Sequence, residues 1–141
     1  MTPEADPTAS TVRHLSFGDA VIEAISEAME SDPAVIAMGV SVDDPAGTRG
    51  SNGLVEKFGR ERVFGTPLSE DAMTGVAIGA ALAGMRPVQI HGRLDFAMLA
   101  MNQLVNVAAK VRGMYAGAAA ARATARQTGR SSARIKLYFL L

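Results

Sequence analysis

The residues with the most distinctive chemistry lie in the run TPLSE, residues 66–70, which ends in the carboxylic acid of Glu70. The run follows a short strand pattern, and Ser69 is a favourable N-cap residue, so the sequence places Glu70 where a strand gives way to a helix. In α/β sheets, ligands bind at such junctions. Position alone favours a simpler role for Glu70, an acid that complements the helix dipole. Glu70 is therefore a candidate acid–base group whose role depends on its wider sequence context.

Helical and strand patterns alternate along the chain. Strands are predicted over residues 34–39, 62–64 and 86–91, and helices over residues 16–31, 54–58, 69–84 and 95–112. This order predicts an α/β fold with a mainly parallel sheet and helices on both faces. Gly75 and Gly79 lie inside the third helix, where glycine costs about 1 kcal/mol relative to alanine. We therefore expect both glycines to allow close approach of a neighbouring element.

Composition limits the classes of protein that this chain can belong to. The 141 residues suit one domain, with 48% hydrophobic and 20% charged residues and no cysteine, which excludes disulfides and thiolate metal sites. No apolar run approaches the roughly 20 residues of a membrane span. Residues 1–15 carry no targeting pattern and are expected to form a mobile arm of a cytoplasmic protein.

Two longer stretches of sequence, one of which contains the TPLSE run, carry further motifs. Residues 53–88, GLVEKFGRERVFGTPLSEDAMTGVAIGAALAGMRPV, and residues 93–110, RLDFAMLAMNQLVNVAAK, resemble the beta subunits of thiamine-diphosphate-dependent 2-oxo acid dehydrogenases of the pyruvate, branched-chain and acetoin type. The motifs occur in the family's order between about Phe17 and Tyr115. The resemblance implies a transketolase-like, pyrimidine-binding α/β domain that is incomplete at its C-terminus.

The resemblance also implies roles for two residues. Glu70 corresponds to the glutamate that hydrogen-bonds a ring nitrogen of the cofactor's aminopyrimidine and so activates thiamine diphosphate. Apolar neighbours favour a protonated carboxyl group there, whereas the helix N-terminus favours the charged form, and the sequence leaves this balance open. Phe96 corresponds to an aromatic residue that packs against the aminopyrimidine, although it equally fits a core helix. His91 stays outside this predicted site, because a lone histidine at a strand end is more often structural.

The rest of the cofactor site is assigned to other chains. Related enzymes hold diphosphate and metal with a Gly-Asp-Gly motif, which does not occur here, and no metal ligand is predicted in this chain. The resemblance implies that an alpha subunit holds Mg²⁺ and diphosphate, that a second beta subunit joins the assembly, and that lipoyl groups on a separate acyltransferase accept the product. The implied activity is oxidative decarboxylation of a 2-oxo acid with a disulfide acceptor. A stand-alone transketolase-like half-enzyme is the second enzymatic interpretation. No nucleic-acid or membrane partner is predicted.

The sequence departs from the family at Ala118. Residues 96–141 contain seven basic residues and no acid, and Arg122, Arg126, Arg130 and Arg134 recur every four positions. Residues 118–141 fit a basic helix for an anionic partner, a solvated end, or out-of-frame translation of a GC-rich gene, and we favour the last. The organisation expected is therefore an arm over 1–15, a partial domain over 16–117 and a non-family tail over 118–141. The non-enzymatic alternative is a catalytically silent remnant or an interaction module with a basic tail.

Overall fold

Four parallel strands form a sheet that packs against the described helices. The computed structural model describes residues 13–44, 53–114 and 138–140. Its strands are β1 (Val35–Gly39), β2 (Val63–Gly65), β3 (Arg86–Ile90) and β4 (Tyr138–Leu140), in the spatial order β2-β1-β3-β4. β1 pairs with β3 over five residues, from Val35 opposite Arg86 to Gly39 opposite Ile90. The three predicted strands and the α/β class are confirmed, whereas β4 was not predicted.

The helices connect and cover these strands. They are α1 (Phe17–Ser31), α2 (Leu54–Phe58), α3 (Glu70–Leu82), α4 (Leu94–Ala97) and α5 (Ala109–Met114). A 3₁₀ turn, Met98–Ala100, and a π-helical segment, Gln103–Ala108, lie between α4 and α5. The single helix predicted over 95–112 is thus a helical stretch of changing pitch. None of the helices in the described ranges is long and apolar enough to cross a lipid bilayer.

The helices α1 and α3 both begin after a serine, but their caps differ. The Ser16 hydroxyl accepts a hydrogen bond of 3.2 Å from the Asp19 amide, which satisfies one of the unpaired donors of the first turn of α1. Ser69 directly precedes α3, but its side chain makes no capping hydrogen bond. Ser69 is thus the N-cap residue of α3, as predicted, but only Ser16 makes a capping hydrogen bond.

One face of the sheet buries the main hydrophobic core beneath α1 and α2. Alternate strand residues point towards these helices because successive side chains of a strand lie on opposite faces. The core consists of Ile25, Met29, Val35, Ala37, Val42, Leu54, Val63, Val88 and Ile90. Beside it, the Arg62 guanidinium donates to the backbone oxygens of Met29 (2.8 Å), Asp32 (3.0 Å) and Val35 (2.9 Å). These bonds fix the end of α1 against the start of β1.

The opposite face carries α3 and the helical segments that follow β3. Ala77 and Ile78 of α3 are buried there. Gly75 lies against the Gln103 side chain, where an added Cβ would come within 3.4 Å of the side-chain amide. At Gly79 an added Cβ would meet no atom of the described chain within 4 Å, so the expected close approach is confirmed at Gly75 and wrong at Gly79.

Parts of the predicted organisation lie outside the described residues. The undescribed parts are residues 1–12 and most of the proposed tail, including its four regularly spaced arginines. The structure therefore gives no description of the expected arm or of the basic helix. Its only described residues beyond 117 are 138–140, whose backbone pairs with β3 in parallel.

Candidate functional site

A cleft of about 340 Å³ opens at the carboxyl ends of β1, β2 and β3. Its position follows from the connections: the one after β1 passes over the α2 face of the sheet, whereas those after β2 and β3 pass over the α3 face. The connections part at the carboxyl edge and leave a crevice there. The lining residues come from all three strand ends and from α3 and α4. They are Val40, Ser41, Leu68, Glu70, Ile90, His91, Gly92 and Phe96. Both residues of the sequence-predicted site, Glu70 and Phe96, lie in this one cleft.

Two glycines keep the strand ends close together beside the cleft. A Cβ at Gly39 would lie 2.3 Å from the backbone oxygen of Ile90, and one at Gly65 would lie 2.1 Å from a carboxylate oxygen of Asp43. Neither position can hold a larger residue without moving its neighbour. Ser41 follows with a φ of 55°, a left-handed conformation that is uncommon for residues other than glycine. The chain thus leaves β1 through a tight, partly strained turn into the cleft wall.

Glu70 occupies the first position of α3, and its helical turn is tied to the sheet. The Thr74 hydroxyl donates a 2.7 Å hydrogen bond to the backbone oxygen of Glu70, and it stands 3.1 Å from the side-chain amide of Gln89 on β3. Thr74 and Gln89 are both buried. A buried polar pair of this kind fixes the first turn of α3, and with it the Glu70 backbone, at the carboxyl end of the strand.

Phe96 forms an aromatic part of the cleft lining. Its side chain is 41% exposed, and the Arg93 guanidinium lies 5.5 Å from the ring centroid, within the range of a cation–π contact. Arg93 is also paired with Asp95 at 2.5 Å. Leu68, 77% exposed, adds a second apolar surface beside Glu70. The cleft lining therefore combines one carboxyl group with an aromatic and an aliphatic side chain.

His91 also lines the cleft, although sequence reasoning left it out of the site. It directly follows β3 and is only 6% exposed. Burial lowers the pKa of His91 from its ordinary value of 6.5, because the charged imidazolium loses hydration, and the charge of Glu70 acts in the opposite direction. A signal was present in the sequence, since His91 continues the alternation that places Gln89 on the α3 face of the sheet.

The polar residues of the long helical stretch remain outside the cleft. Gln103 donates a 3.1 Å hydrogen bond to Asp71, which links this stretch to α3. Asn106 instead donates to Asn102 within the same stretch at 2.9 Å, and accepts from Lys110 at 2.9 Å.

A second hollow, of about 450 Å³, lies between α1 and α2. Its walls are mostly the acidic side chains of α1 together with Lys57, which pairs with Glu30. It contains neither predicted site residue, and its groups are solvated surface acids. Within the ranges that the structure describes, no three histidine, cysteine, aspartate or glutamate side chains are grouped so that they could hold a metal ion.

Comparison with known proteins identifies the family to which this domain belongs. Residues 13–126 match the family described as "Transketolase, pyrimidine binding domain". The chain belongs to this family. The sequence-based resemblance and the α/β fold that it implied are thereby confirmed for this pyrimidine-binding domain.

The relatives of this pyrimidine-binding domain are dehydrogenase subunits. The 2-oxoisovalerate dehydrogenase subunit beta of Bacillus subtilis is 46% identical over 99 residues, covering 70% of this chain and 30% of the relative. The pyruvate dehydrogenase E1 component subunit beta-1 (mitochondrial) of Arabidopsis thaliana is 40% identical over 110 residues, covering 77% and 30%. The corresponding subunit beta of Rickettsia bellii is 39% identical over 104 residues, covering 73% and 32%. The chain thus spans about a third of the length of these relatives.

Proposed function

We propose that this chain supplies the pyrimidine-binding half of a thiamine-diphosphate-dependent oxidative decarboxylase of 2-oxo acids, as the beta subunit of its dehydrogenase component. The observation that carries the proposal is the meeting of Glu70 and Phe96 in one cleft at the carboxyl edge of the sheet. The names of the relatives, which are beta subunits of pyruvate and 2-oxoisovalerate dehydrogenases, support the same class of reaction.

The residues of the cleft fit an aminopyrimidine. This ring is flat, has apolar faces and carries nitrogen atoms on its edge, so its site needs flat apolar contacts and a hydrogen-bonding group in the ring plane. Phe96 and Leu68 provide the contacts, and Glu70 provides the group. When bound, thiamine diphosphate supplies the electron sink that decarboxylation of a 2-oxo acid requires.

Glu70 then acts as the acid–base residue of the chain. Its carboxyl group holds a proton against a ring nitrogen, and Thr74 and Gln89 keep its helical turn in place during that exchange. Phe96 packs on the ring face and excludes water from the shared proton. Both roles require a carboxyl and an aromatic group on the same cleft, which is the arrangement described above.

Other chains complete the site in this proposal. We assign Mg²⁺ and the diphosphate to an alpha subunit, since the Gly-Asp-Gly motif that holds them in related enzymes does not occur in this sequence. A second beta subunit completes the dehydrogenase component. A lipoyl-bearing acyltransferase takes the acyl group, its disulfide acting as the oxidant. The particular 2-oxo acid is left unassigned.

The test combines the chain with a cognate alpha subunit, thiamine diphosphate and Mg²⁺. We expect the circular-dichroism band of the bound cofactor and release of CO₂ from a 2-oxo acid. Glu70→Gln keeps the size of the side chain and removes its acid, so both signals should fall at least tenfold. Glu23→Gln, which removes an acid of α1 that pairs with Arg13, is the control and should leave both unchanged. Absence of the band, or equal signals with Glu70→Gln, would refute the proposal.

A further inference from the structure

The chain leaves β1 through a β-turn whose third residue is Ser41. The amide of Val42 donates a 3.4 Å hydrogen bond to the backbone oxygen of Gly39, which closes the turn around Val40 and Ser41. Among the described residues other than glycine, only Ser41 has a positive φ, of 55°, so the φ of Val40 is negative. This combination is that of a type II turn, in which glycine or asparagine ordinarily takes the third position.

A serine is energetically unfavourable at this position of the turn. In the left-handed region, the Cβ atom of any residue except glycine comes too close to the following carbonyl oxygen. Asparagine and aspartate offset part of this cost when their side chains hydrogen-bond to the local backbone. Within the ranges that the structure describes, the Ser41 hydroxyl makes no hydrogen bond to backbone or side chain. The turn itself therefore does not explain the serine.

Contacts of the following residues hold Ser41 in this conformation. The Asp44 amide donates a 3.3 Å hydrogen bond to the backbone oxygen of Ser41. The Asp43 carboxylate pairs with Arg60 and occupies the space that a Cβ at Gly65 would need. A strained backbone conformation persists only where its surroundings enforce it, and such residues cluster at ligand sites. The strain at Ser41 is thus a fixed property of the fold and marks this residue for a role outside the turn.

The side chain that the turn presents lies in the cleft. Ser41 is exposed, and it lines the cleft together with Glu70 and Phe96. β1 stands between β2 and β3 in the sheet, so the turn after β1 is central among the strand ends that form the cleft. A hydroxyl group can donate one hydrogen bond and accept others. Ser41 therefore adds a neutral polar group to a lining that otherwise offers a carboxyl group and apolar surfaces.

We propose that the Ser41 hydroxyl is a ligand contact of this cleft, which hydrogen-bonds the polar edge of the aminopyrimidine ring that Glu70 engages. The identity of this ligand rests on the proposed function. An aminopyrimidine still carries a ring nitrogen and an exocyclic amino group after Glu70 has bound one nitrogen. Two hydrogen bonds at different positions of the edge fix the rotation of a flat ring within its plane, which apolar contacts to its faces cannot do. Glycine would relieve the strain of the turn but would lose this contact.

The variant Ser41→Gly tests the inference, because glycine adopts a φ of 55° without strain and removes only the hydroxymethyl group. Urea unfolding of the full chain should give a midpoint equal to or above that of the unaltered chain. With a cognate alpha subunit, thiamine diphosphate and Mg²⁺, titration of the cofactor band should give a Kd about threefold to tenfold higher, as expected for one lost hydrogen bond between neutral groups. A merely structural residue would instead lower stability and affinity together.

Two further variants and one kinetic measurement define the contact. Ser41→Ala retains the strained Cβ and removes the hydroxyl, so its cofactor Kd should match that of Ser41→Gly. Ser31→Ala removes an exposed hydroxyl at the end of α1 and is the control, which should leave the Kd unchanged. At saturating cofactor, Ser41→Gly should leave the KM of the 2-oxo acid unchanged, because the hydroxyl binds the cofactor and not the substrate.

Three results would overturn the inference while the proposed function stands. One is an unchanged cofactor Kd with Ser41→Gly. Another is a higher KM of the 2-oxo acid in place of a higher Kd, which would assign the hydroxyl to the substrate. The third is a higher Kd together with a lower urea midpoint, which would show that the serine serves the fold. Absence of the cofactor band with the unaltered chain would instead refute the proposed function, and this inference with it.

Discussion

The two faces of the sheet differ in what they bury. Beneath α1 and α2, the buried cluster consists entirely of hydrophobic side chains. Beneath α3, buried positions include the polar residues Thr74, Gln89 and His91, in addition to Ala77 and Ile78. The same strands contribute to both faces, because their side chains alternate. One sheet thus carries a purely apolar layer on one side and a layer with hydrogen-bonding and ionisable groups on the other.

One face of the sheet therefore mainly contributes stability, whereas the other carries the groups that can take part in chemistry. Buried apolar side chains stabilise the fold in proportion to the surface area that they remove from water. Buried polar groups stabilise it only when their hydrogen-bond partners are present. Glu70 belongs to the polar side, where its position depends on Thr74 and Gln89. Substitutions on the two faces should therefore destabilise the protein for different reasons, and unfolding experiments can distinguish them.

The largest effect is expected from Leu54→Ala on the apolar side. Leu54 is 1% exposed within the α1–α2 core, and removing its buried methyl groups should cost about 2–5 kcal/mol of unfolding free energy. Leu68→Ala is the matched control, since Leu68 is 77% exposed and should change the free energy by less than about 0.5 kcal/mol. Urea unfolding followed by circular dichroism measures both. Equal losses would contradict the division between core and cleft.

A smaller loss is expected from Thr74→Val on the polar side. Valine keeps the shape but leaves the buried Gln89 amide without the Thr74 hydroxyl, at a cost of about 1–3 kcal/mol. Combining it with Gln89→Met should cost less than the sum of the two single changes, because the pair is then replaced by apolar groups. Chemical denaturation of the four proteins measures the coupling. Additive losses would show that the two residues act independently.

The smallest effect is expected for the dependence of stability on pH. Since burial lowers the pKa of folded His91 below 6.5, the unfolded chain binds a proton there more readily than the folded chain does. Stability should therefore decrease as the pH falls below 6.5 and level off once the folded histidine is also protonated. His91→Gln should remove this part of the dependence, whereas His14→Gln should retain it. Thermal unfolding between pH 5 and pH 8 provides the comparison, and identical slopes for both variants would contradict it.

Local patterns predicted the framework of the fold well. The Ser16 cap, the apolar run of β1 and the strand from Arg86 each carry a signal within a few residues, and each element is present. The junction at Glu70 was also visible, because strand ends and helix starts mark it. That Glu70 and Phe96 share a cleft depended on the family resemblance, since 26 positions separate them.

Features that depend on packing between distant elements were not predicted. His91 was judged structural because a lone histidine carries no pattern, and its burial beside Glu70 results from α3 lying over β3. The changes of helical pitch between Met98 and Ala108 have no glycine or proline to mark them. β4 pairs with β3 from about fifty residues away, a distance over which local propensity carries no information.

The glycine at the end of β1 has a consequence for anyone who would redesign this molecule. With the Ile90 oxygen 2.3 Å from the site of any Cβ at Gly39, the end of β1 beside the cleft accepts no larger side chain, whereas Leu68 and Phe96 line the cleft and are exposed. A mutant library that randomises these exposed positions will retain folded members, and one that includes Gly39 will lose most of them. New ligand preferences are therefore accessible through the exposed lining residues of the cleft, not through the end of β1.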